Sequence, residues 1–104
     1  DMPITFTQAA LGAEVTVPTL DGKVSYTVHE GTQPGDVFKL KGKGIQNING
    51  RGRGDQYVRV TVEVPKNLSK RQKELLQEFE QNADEKNYQK RKSFFGKIKG
   101  MFED

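Results

Sequence analysis

The sequence predicts a mainly β protein: a small antiparallel, sandwich-like domain followed by C-terminal helices. Up to about Pro65, apolar residues alternate with polar ones, which is typical of strands with one buried face. Beyond Pro65 the apolar residues recur at helical spacing instead. Because 104 residues suffice for one ordinary core and not for two, we expect a β-domain over residues 1–66 and a helical segment over 67–104.

Five strands are predicted from this alternation. Asp21-Gly22 separates the second run from the third and favours a turn that closes a tight hairpin. A break around Pro34, at residues 31–35, separates the third run from the fourth. The apolar members of the runs are, in chain order, Ile4 and Phe6; Val15 and Val17; Val24, Tyr26 and Val28; Phe38 and Leu40; and Val58, Val60, Val62 and Val64.

Two helices are predicted before the last dozen residues. A short one is expected at 7–12, where Thr7 would cap its start and Gly12 its end. A longer one is expected from about residue 70 to 83, because Ser69 and Gln72 match a capping box. Its apolar face is formed by Leu75, Leu76, Phe79 and Ala83.

The C-terminal stretch predicts a third helix, with Ser93 as a possible cap and Lys97 and Gly100 on its polar side. About ten residues with two internal glycines form a marginal helix alone. Its apolar side therefore needs a partner: the chain's own core, a lipid surface attracted by the neighbouring lysines, or a second copy. We favour the second copy, because an isologous contact buries the same patch twice. We label this predicted third helix, of about ten residues from Ser93, α3. We name its apolar side the α3 stripe: Phe94, Phe95, Ile98, Met101 and Phe102.

The net charge of +3 comes from residues after Pro65, since the earlier part is neutral as a whole. Within that earlier part, basic side chains cluster between Lys39 and Arg53 with no acid among them. Such a cluster is ordinarily a solvated rim, and it could also attract an anionic partner. The Gly/Arg run at 50–54 carries the alternative hypothesis, a basic β-domain that binds RNA.

Catalysis is not expected from these residues. His29 is the single histidine and lies beside a predicted turn, and the chain has no cysteine to build a thiolate metal site. The glycines at 42–54 lack the frame of a phosphate-binding loop. No apolar run approaches the ~18 residues that span a membrane, and the N-terminal residues 1–3 lack the basic and apolar regions of a signal peptide. We expect a cytoplasmic piece of a longer chain, with neither membrane nor nucleic acid as its partner.

Five segments in order resemble signatures of the C-terminal region of DnaJ-type co-chaperones. Each is weak alone, but together they make a specific match, and the helical end also resembles that family's terminus. The segments are TQAALG at 7–12, VPTLDG at 17–22, EGTQPG at 30–35, FKLKGKG at 38–44 and RGRGDQYV at 51–58.

The resemblance implies a fragment: the second client-binding β-domain of such a protein, followed by its dimerisation segment. It implies unfolded polypeptides, a second copy of the chain and, through the full-length protein, a DnaK-type chaperone as partners. The J-domain that stimulates the partner's ATPase has no counterpart here, since the sequence has no His-Pro-Asp motif. The family's zinc would belong to a cysteine-rich domain absent from these residues, so no cofactor is expected.

The resemblance also implies a client groove between the first strands of the β-domain. The residues that correspond to it also suit the core of a small sandwich, and both interpretations stay open from the sequence. They are Ile4 and Phe6 on one strand, Val15 and Val17 on the next, and Tyr26 and Leu68 as neighbours.

Overall fold

The computed structural model describes residues 1–40 and 54–102. These residues confirm the predicted fold class, with five strands followed by helices. The chain divides into two compact units, Asp1–Lys66 and Asn67–Asp104. In chain order the elements are β1 Met2–Thr5, α1 Phe6–Leu11, β2 Ala13–Thr19, β3 Gly22–Val28, β4 Val37–Leu40, β5 Gln56–Glu63, α2 Lys70–Asn82, a 3₁₀ turn Glu85–Asn87, and α3 Gln89–Phe102.

The strands form two sheets, one in the order β1-β5-β4 and one that consists of β2 and β3. Two of the pairings are antiparallel as expected, whereas β1 runs parallel to β5, with Met2 opposite Val60. The first strand differs because it leads into α1 instead of a hairpin turn, so it is not paired with the next strand along the chain. Parallel strands need a long connection, which the chain between β1 and β5 provides. At the other end, β5 stops at Glu63, where β1 also ends, so Val64 lies outside the strand.

The hairpin predicted at Asp21-Gly22 is confirmed as the connection between β2 and β3. Leu20 and Asp21 form the turn, and Gly22 opens β3 with a positive φ of 102°. The Thr19 hydroxyl donates to the Gly22 carbonyl at 2.7 Å and accepts from the Asp21 amide at 3.1 Å. These bonds hold the turn closed and fix the register, which sets which face of each strand is buried.

The core lies between the two sheets and consists of small aliphatic clusters. Four half-buried side chains pack against both clusters and close the space between them, namely Met2, Val15, Tyr26 and Phe38. The rings of Tyr26 and Phe38 stack across the two sheets, with centroids 3.8 Å apart and planes 8° from parallel. The buried members are Ile4, Ala9, Val28 and Val60 in one cluster and Val17, Leu40 and Val58 in the other.

Helix α1 begins earlier than the sequence analysis placed it. Thr5 is its N-cap rather than Thr7, because the Thr5 hydroxyl accepts from the Gln8 amide while the Gln8 side chain accepts from the Thr5 amide, both at 3.0 Å. Phe6, predicted on a strand, is consequently the first residue of the helix. The predicted end is confirmed, since Gly12 is the C-cap with φ of 79°.

Helix α2 follows its prediction closely. Ser69 accepts from the Gln72 amide at 3.1 Å, and the Gln72 side chain accepts from the Ser69 amide at 2.8 Å, which completes the predicted capping box. The helix ends at Asn82, and Ala83 is its C-cap.

Helix α3 is longer than expected, so the prediction that Ser93 caps it is wrong. It starts at Gln89 and already contains the bond from the Lys92 amide to the Tyr88 carbonyl, 3.0 Å long. The preceding 3₁₀ turn, which the sequence analysis missed, brings the chain into α3 and carries its own capping box at Asp84. Ser93 is therefore an interior residue.

Candidate functional site

The six predicted groove residues fall into three groups. Ile4 and Val17 are core residues, with 3% and 2% of their surfaces exposed. Val15 and Tyr26 are half-buried and lie opposite each other on the inner face of the β2–β3 sheet. The other two, Phe6 on α1 and Leu68 in the second unit, are half-buried, and Leu68 lies outside the β-domain altogether.

The structure therefore brings together two of the six at one accessible place, Val15 and Tyr26. It adds Phe38, which the sequence analysis assigned only to a strand, through the ring stack with Tyr26. That contact joins strands from different sheets, and no periodicity along the chain can show which strands of two sheets face each other. Ile4 and Val17 support these residues from the core beneath.

An open cleft of about 310 Å³ lies where β3 and β4 face each other. Its inner surface includes Tyr26 and Phe38, with Val28 and Val60 deeper in the domain. We call it the β3–β4 cleft. Its rim is formed by the segment His29–Thr32 and by Asp36 and Val37.

The rim of the β3–β4 cleft is held by backbone hydrogen bonds. The amides of Gly31 and Thr32 both donate to the Ala9 carbonyl at the end of α1, at 2.9 and 3.1 Å. The Gly35 amide donates to the Val60 carbonyl at 2.7 Å, and the Val60 amide donates to the Asp36 carbonyl at 2.8 Å. The connection from β3 to β4 is thus tied to α1 on one side and to β5 on the other.

Gly12 allows this arrangement because of its close approach to the rim. A Cβ at this position would lie 3.0 Å from the Val28 carbonyl oxygen and 3.1 Å from the Glu30 amide nitrogen. Its positive φ also disfavours any other residue. Glycine is therefore required here on two grounds.

The second unit shows a different surface. Neither α2 nor α3 contains a buried residue, and most of the α3 stripe is exposed, from 48% at Phe95 to 83% at Phe102. The rings of Phe94 and Phe95 meet edge to face with centroids 5.1 Å apart, and the Arg91 guanidinium lies 4.6 Å from the Phe95 ring centroid. Only Ile98 of the stripe is half-buried. Most of the apolar residues predicted for this helix are thus exposed to solvent.

The junction of α2 and α3 is stabilised mainly by local contacts. Lys92 pairs with Glu85 at 3.7 Å, which connects α3 to the preceding 3₁₀ turn. Leu75 and Phe79 of α2 each keep 47% of their surface exposed.

Among residues 1–40 and 54–102, no group of three His, Asp or Glu side chains is placed to hold a metal ion. No helix in that part of the chain is long and apolar enough to cross a bilayer.

Comparison with known families covers both units. Residues 1–65 match the family described as DnaJ C terminal domain, and residues 71–104 match the one described as Chaperone protein DnaJ C-terminal region. The chain belongs to the DnaJ family. The resemblance inferred from the five sequence segments is confirmed, including those that fall on residues 41–53, outside the described part of the structure.

Individual DnaJ relatives agree along almost the whole chain. It is 62% identical to the chaperone protein DnaJ of Ruminiclostridium cellulolyticum and 59% identical to that of Clostridioides difficile, over 98% of its length in both cases. It is 48% identical to the DnaJ of Fusobacterium nucleatum over all of its length. It spans about a quarter of each relative, 27%, 27% and 26% respectively.

These DnaJ relatives are chaperones by name. They give no support to the alternative of an RNA-binding domain. Most of the Gly/Arg run on which that alternative rested, and all of the predicted Lys39–Arg53 cluster except Lys39, lie outside the described residues. Lys39 itself pairs with Asp55 at 3.8 Å.

Proposed function

We propose that this chain is the client-binding and dimerising end of a DnaJ-type co-chaperone, which holds unfolded polypeptide for a DnaK-type partner. The observation that carries the proposal is the match of both units to DnaJ C-terminal families. The accessible apolar residues of each unit support it, because a holdase must offer apolar surface that its own fold leaves uncovered.

In the β-domain, the proposed client contact is the half-buried apolar surface around Val15 and Tyr26. Phe6 extends the same kind of surface on α1, while Ile4 and Val17 keep its floor rigid. The strands β2 and β3 form a two-stranded sheet among the described residues, so each has an edge where an extended client could add its backbone. Backbone pairing and shallow apolar contacts would together bind many sequences weakly.

In the helical segment, the proposed role is homodimerisation through the α3 stripe. Exposed apolar surface of this kind marks an interaction site in a soluble protein. Contact between two copies would cover the stripe of both helices at once. Two β-domains joined in this way would hold one client at more than one point, which raises the effective concentration at the second site.

The remaining parts of the proposal follow from the family. The chain catalyses no reaction and needs no metal or cofactor of its own. It meets the DnaK-type chaperone as part of the full-length protein, in the cytoplasm, and uses neither nucleic acid nor membrane as a partner.

A matched pair of nearly isosteric substitutions tests the client contact. Val15→Thr adds a hydroxyl to a half-buried surface and should weaken binding of a labelled unfolded peptide about three- to tenfold, or ~1 kcal/mol, with little change in stability. Val17→Thr places the same hydroxyl in the core and should lower the free energy of unfolding by about 1–3 kcal/mol. Fluorescence anisotropy and urea unfolding measure the two effects. Unchanged binding in Val15→Thr would remove Val15 from the client contact.

A further inference from the structure

The β3–β4 cleft combines apolar, aromatic and acidic groups, and of its described lining only Tyr26 also belongs to the groove implied by the family. That groove was expected along the first two strands, whereas this cleft lies where β3 and β4 face each other. Its volume of about 310 Å³ is at the lower end of the range for ligand pockets. A space of this size suits one or two side chains of a segment rather than a folded partner.

The charge of the cleft is opposite in sign to the net charge of the chain. Among the described residues, its lining includes the carboxylates of Glu30 and Asp36 and no lysine or arginine, although the whole chain carries +3. Neither carboxylate pairs with a cation among residues 1–40 and 54–102. Asp36 is held in place, because its Oδ2 accepts from the Gln33 amide at 2.9 Å. Within the described part of the chain, the cleft therefore offers negative charge that no lysine or arginine of its lining offsets, and the Asp36 carboxylate is held in position.

Two aromatic rings lie beside these carboxylates. Tyr26 and Phe38 are both half-buried, and their stacked arrangement keeps them as one surface of the cleft. Aromatic faces attract ammonium and guanidinium groups as well as apolar side chains. A lysine or arginine next to an apolar residue would thus find complementary groups for both parts.

The cleft is also preformed and bordered by strand edges. Its rim is tied to α1 and β5 by the bonds of Gly31, Thr32 and Gly35, so little ordering is required when a ligand enters. Among the described strands, β3 and β4 each pair with one neighbour only. An extended segment could therefore align along either edge and direct a side chain into the cleft.

We propose that the β3–β4 cleft binds extended client segments that carry a lysine or arginine beside an apolar residue, so that it selects among clients by charge. The inference rests on the proposed client-binding function and names the class of segment that this part of the domain takes. The rings and the core valines accept the apolar side chain, and Glu30 and Asp36 accept the cation.

The test uses the intact 104-residue chain and three labelled peptides of eight residues. Each peptide alternates leucine with serine and carries two lysines, two glutamines or two glutamates at the same positions. We expect the lysine peptide to bind about tenfold more tightly than the glutamate peptide by fluorescence anisotropy, and the difference to shrink as salt is added. Its resonance shifts should centre on Tyr26, Phe38 and the amides of 29–36.

The variant that tests the cleft is the double substitution Glu30→Gln and Asp36→Asn, which keeps shape and an acceptor for the Gln33 amide. The lysine preference should fall to within about twofold. The matched control is Glu14→Gln with Glu63→Gln, which removes the same charge from exposed strand positions elsewhere in the β-domain. The control should retain the preference, and unfolding curves of both double variants should stay close to that of the parent chain.

The outcomes separate the two proposals. Equal binding of the three peptides, or a lysine preference that survives the loss of Glu30 and Asp36, would overturn charge selection by the cleft and leave client binding intact. Failure of all three peptides to bind would overturn both proposals. If the Glu30→Gln and Asp36→Asn variant no longer formed a dimer, the cleft would be assigned to contact with a second copy of the chain. That result would overturn its role in client selection.

Discussion

The two units of this chain deal with their apolar side chains in opposite ways. In the described part of the β-domain, seven aliphatic residues form the buried core, and half-buried rings close the space that remains. In the helical segment neither α2 nor α3 has a buried residue, and three phenylalanines and a methionine of α3 lie open to solvent. A unit of the first kind stabilises itself, whereas a unit of the second kind gains stability mainly from what it binds.

The comparison also separates two kinds of regular structure. The β-domain depends on pairings between residues far apart in the chain, such as Met2 with Val60. The helical segment is held by local bonds, such as those of Ser69 with Gln72 and of Lys92 with Glu85. Substitutions in the β-domain should therefore cause a large loss of stability, spread over the whole domain. Substitutions in the helical segment should cause a smaller loss of stability, which should depend on protein concentration.

Core truncation should give the largest effect. Ile4→Ala removes most of a buried side chain and should lower the free energy of unfolding of the β-domain by about 2–5 kcal/mol. The matched control is Leu20→Ala, since Leu20 lies in the hairpin turn with 68% of its surface exposed and should change stability by less than ~0.5 kcal/mol. Urea unfolding followed by far-UV circular dichroism measures both. Equal losses would show that the turn, and not the sheet interface, limits stability.

Removing the α3 stripe should have an effect nearly as large as core truncation, but on assembly instead of folding. Removing residues 93–104 should convert the proposed dimer to a monomer, with the dissociation constant raised at least ~100-fold, or about 2.7 kcal/mol. Sedimentation equilibrium at tens of micromolar measures the mass, and the urea midpoint of the β-domain should not move.

A double substitution that keeps the full length of the chain provides the control for that truncation. Lys97→Ala and Lys99→Ala change the basic side chains of α3 and leave the α3 stripe intact, so the dimer should persist. A truncated chain that still sediments as a dimer would move the interface to another surface, first of all to Leu75 and Phe79 of α2. A monomeric parent chain would contradict dimerisation by this segment altogether.

Glycine substitutions should act in opposite directions in the two units. Gly12→Ala places a Cβ against the Val28 carbonyl at a positive φ and should destabilise the β-domain by about 1–3 kcal/mol. Gly96→Ala adds its Cβ to open space on α3 and should favour the helix by about 0.8–1 kcal/mol. Urea midpoints and helical ellipticity measure the two. A stable Gly12→Ala variant would show that the contact between α1 and the rim of the β3–β4 cleft is loose.

The sequence predicted local features better than contacts between elements. Of the three capping boxes among the described residues, only the one at Ser69 was identified. The one at Thr5 was missed because Thr7 lies as close to the same apolar run, and the one at Asp84 was missed together with its 3₁₀ turn. Alternation identified all five strands, since burial of one face imposes a period of two on each. The parallel pairing of β1 with β5 was not predicted, because alternation is the same for either direction of pairing.

The candidate site shows the same limit. Four of the six groove residues, Ile4, Val15, Val17 and Tyr26, lie in or against the core as their alternation predicts, whereas Phe6 lies on α1 and Leu68 outside the β-domain. The degree of burial of those four depends on the opposite sheet. Ile4 and Val17 became core, while Val15 and Tyr26 stayed accessible, and nothing in their own sequence neighbourhoods distinguishes the two pairs. The β3–β4 cleft could not be predicted from the sequence for a related reason, because it exists only where Phe38 of one sheet contacts Tyr26 of the other.

Helix capping should give the smallest effect and the sharpest comparison of the units. Ser69→Ala leaves the Gln72 amide without its acceptor and should cost about 0.5–2 kcal/mol of helix stability; Thr5→Ala makes the equivalent change at α1. In the packed β-domain the cost at Thr5 should appear in the unfolding of the whole unit, because α1 contacts β1 and β5 and unfolds with them. At Ser69 it should appear as faster amide hydrogen exchange over residues 70–74, with the urea midpoint of the β-domain unchanged. Exchange that accelerates across both units in Ser69→Ala would show that they unfold together, and the contrast between a self-sufficient domain and a dependent helical segment would then be wrong.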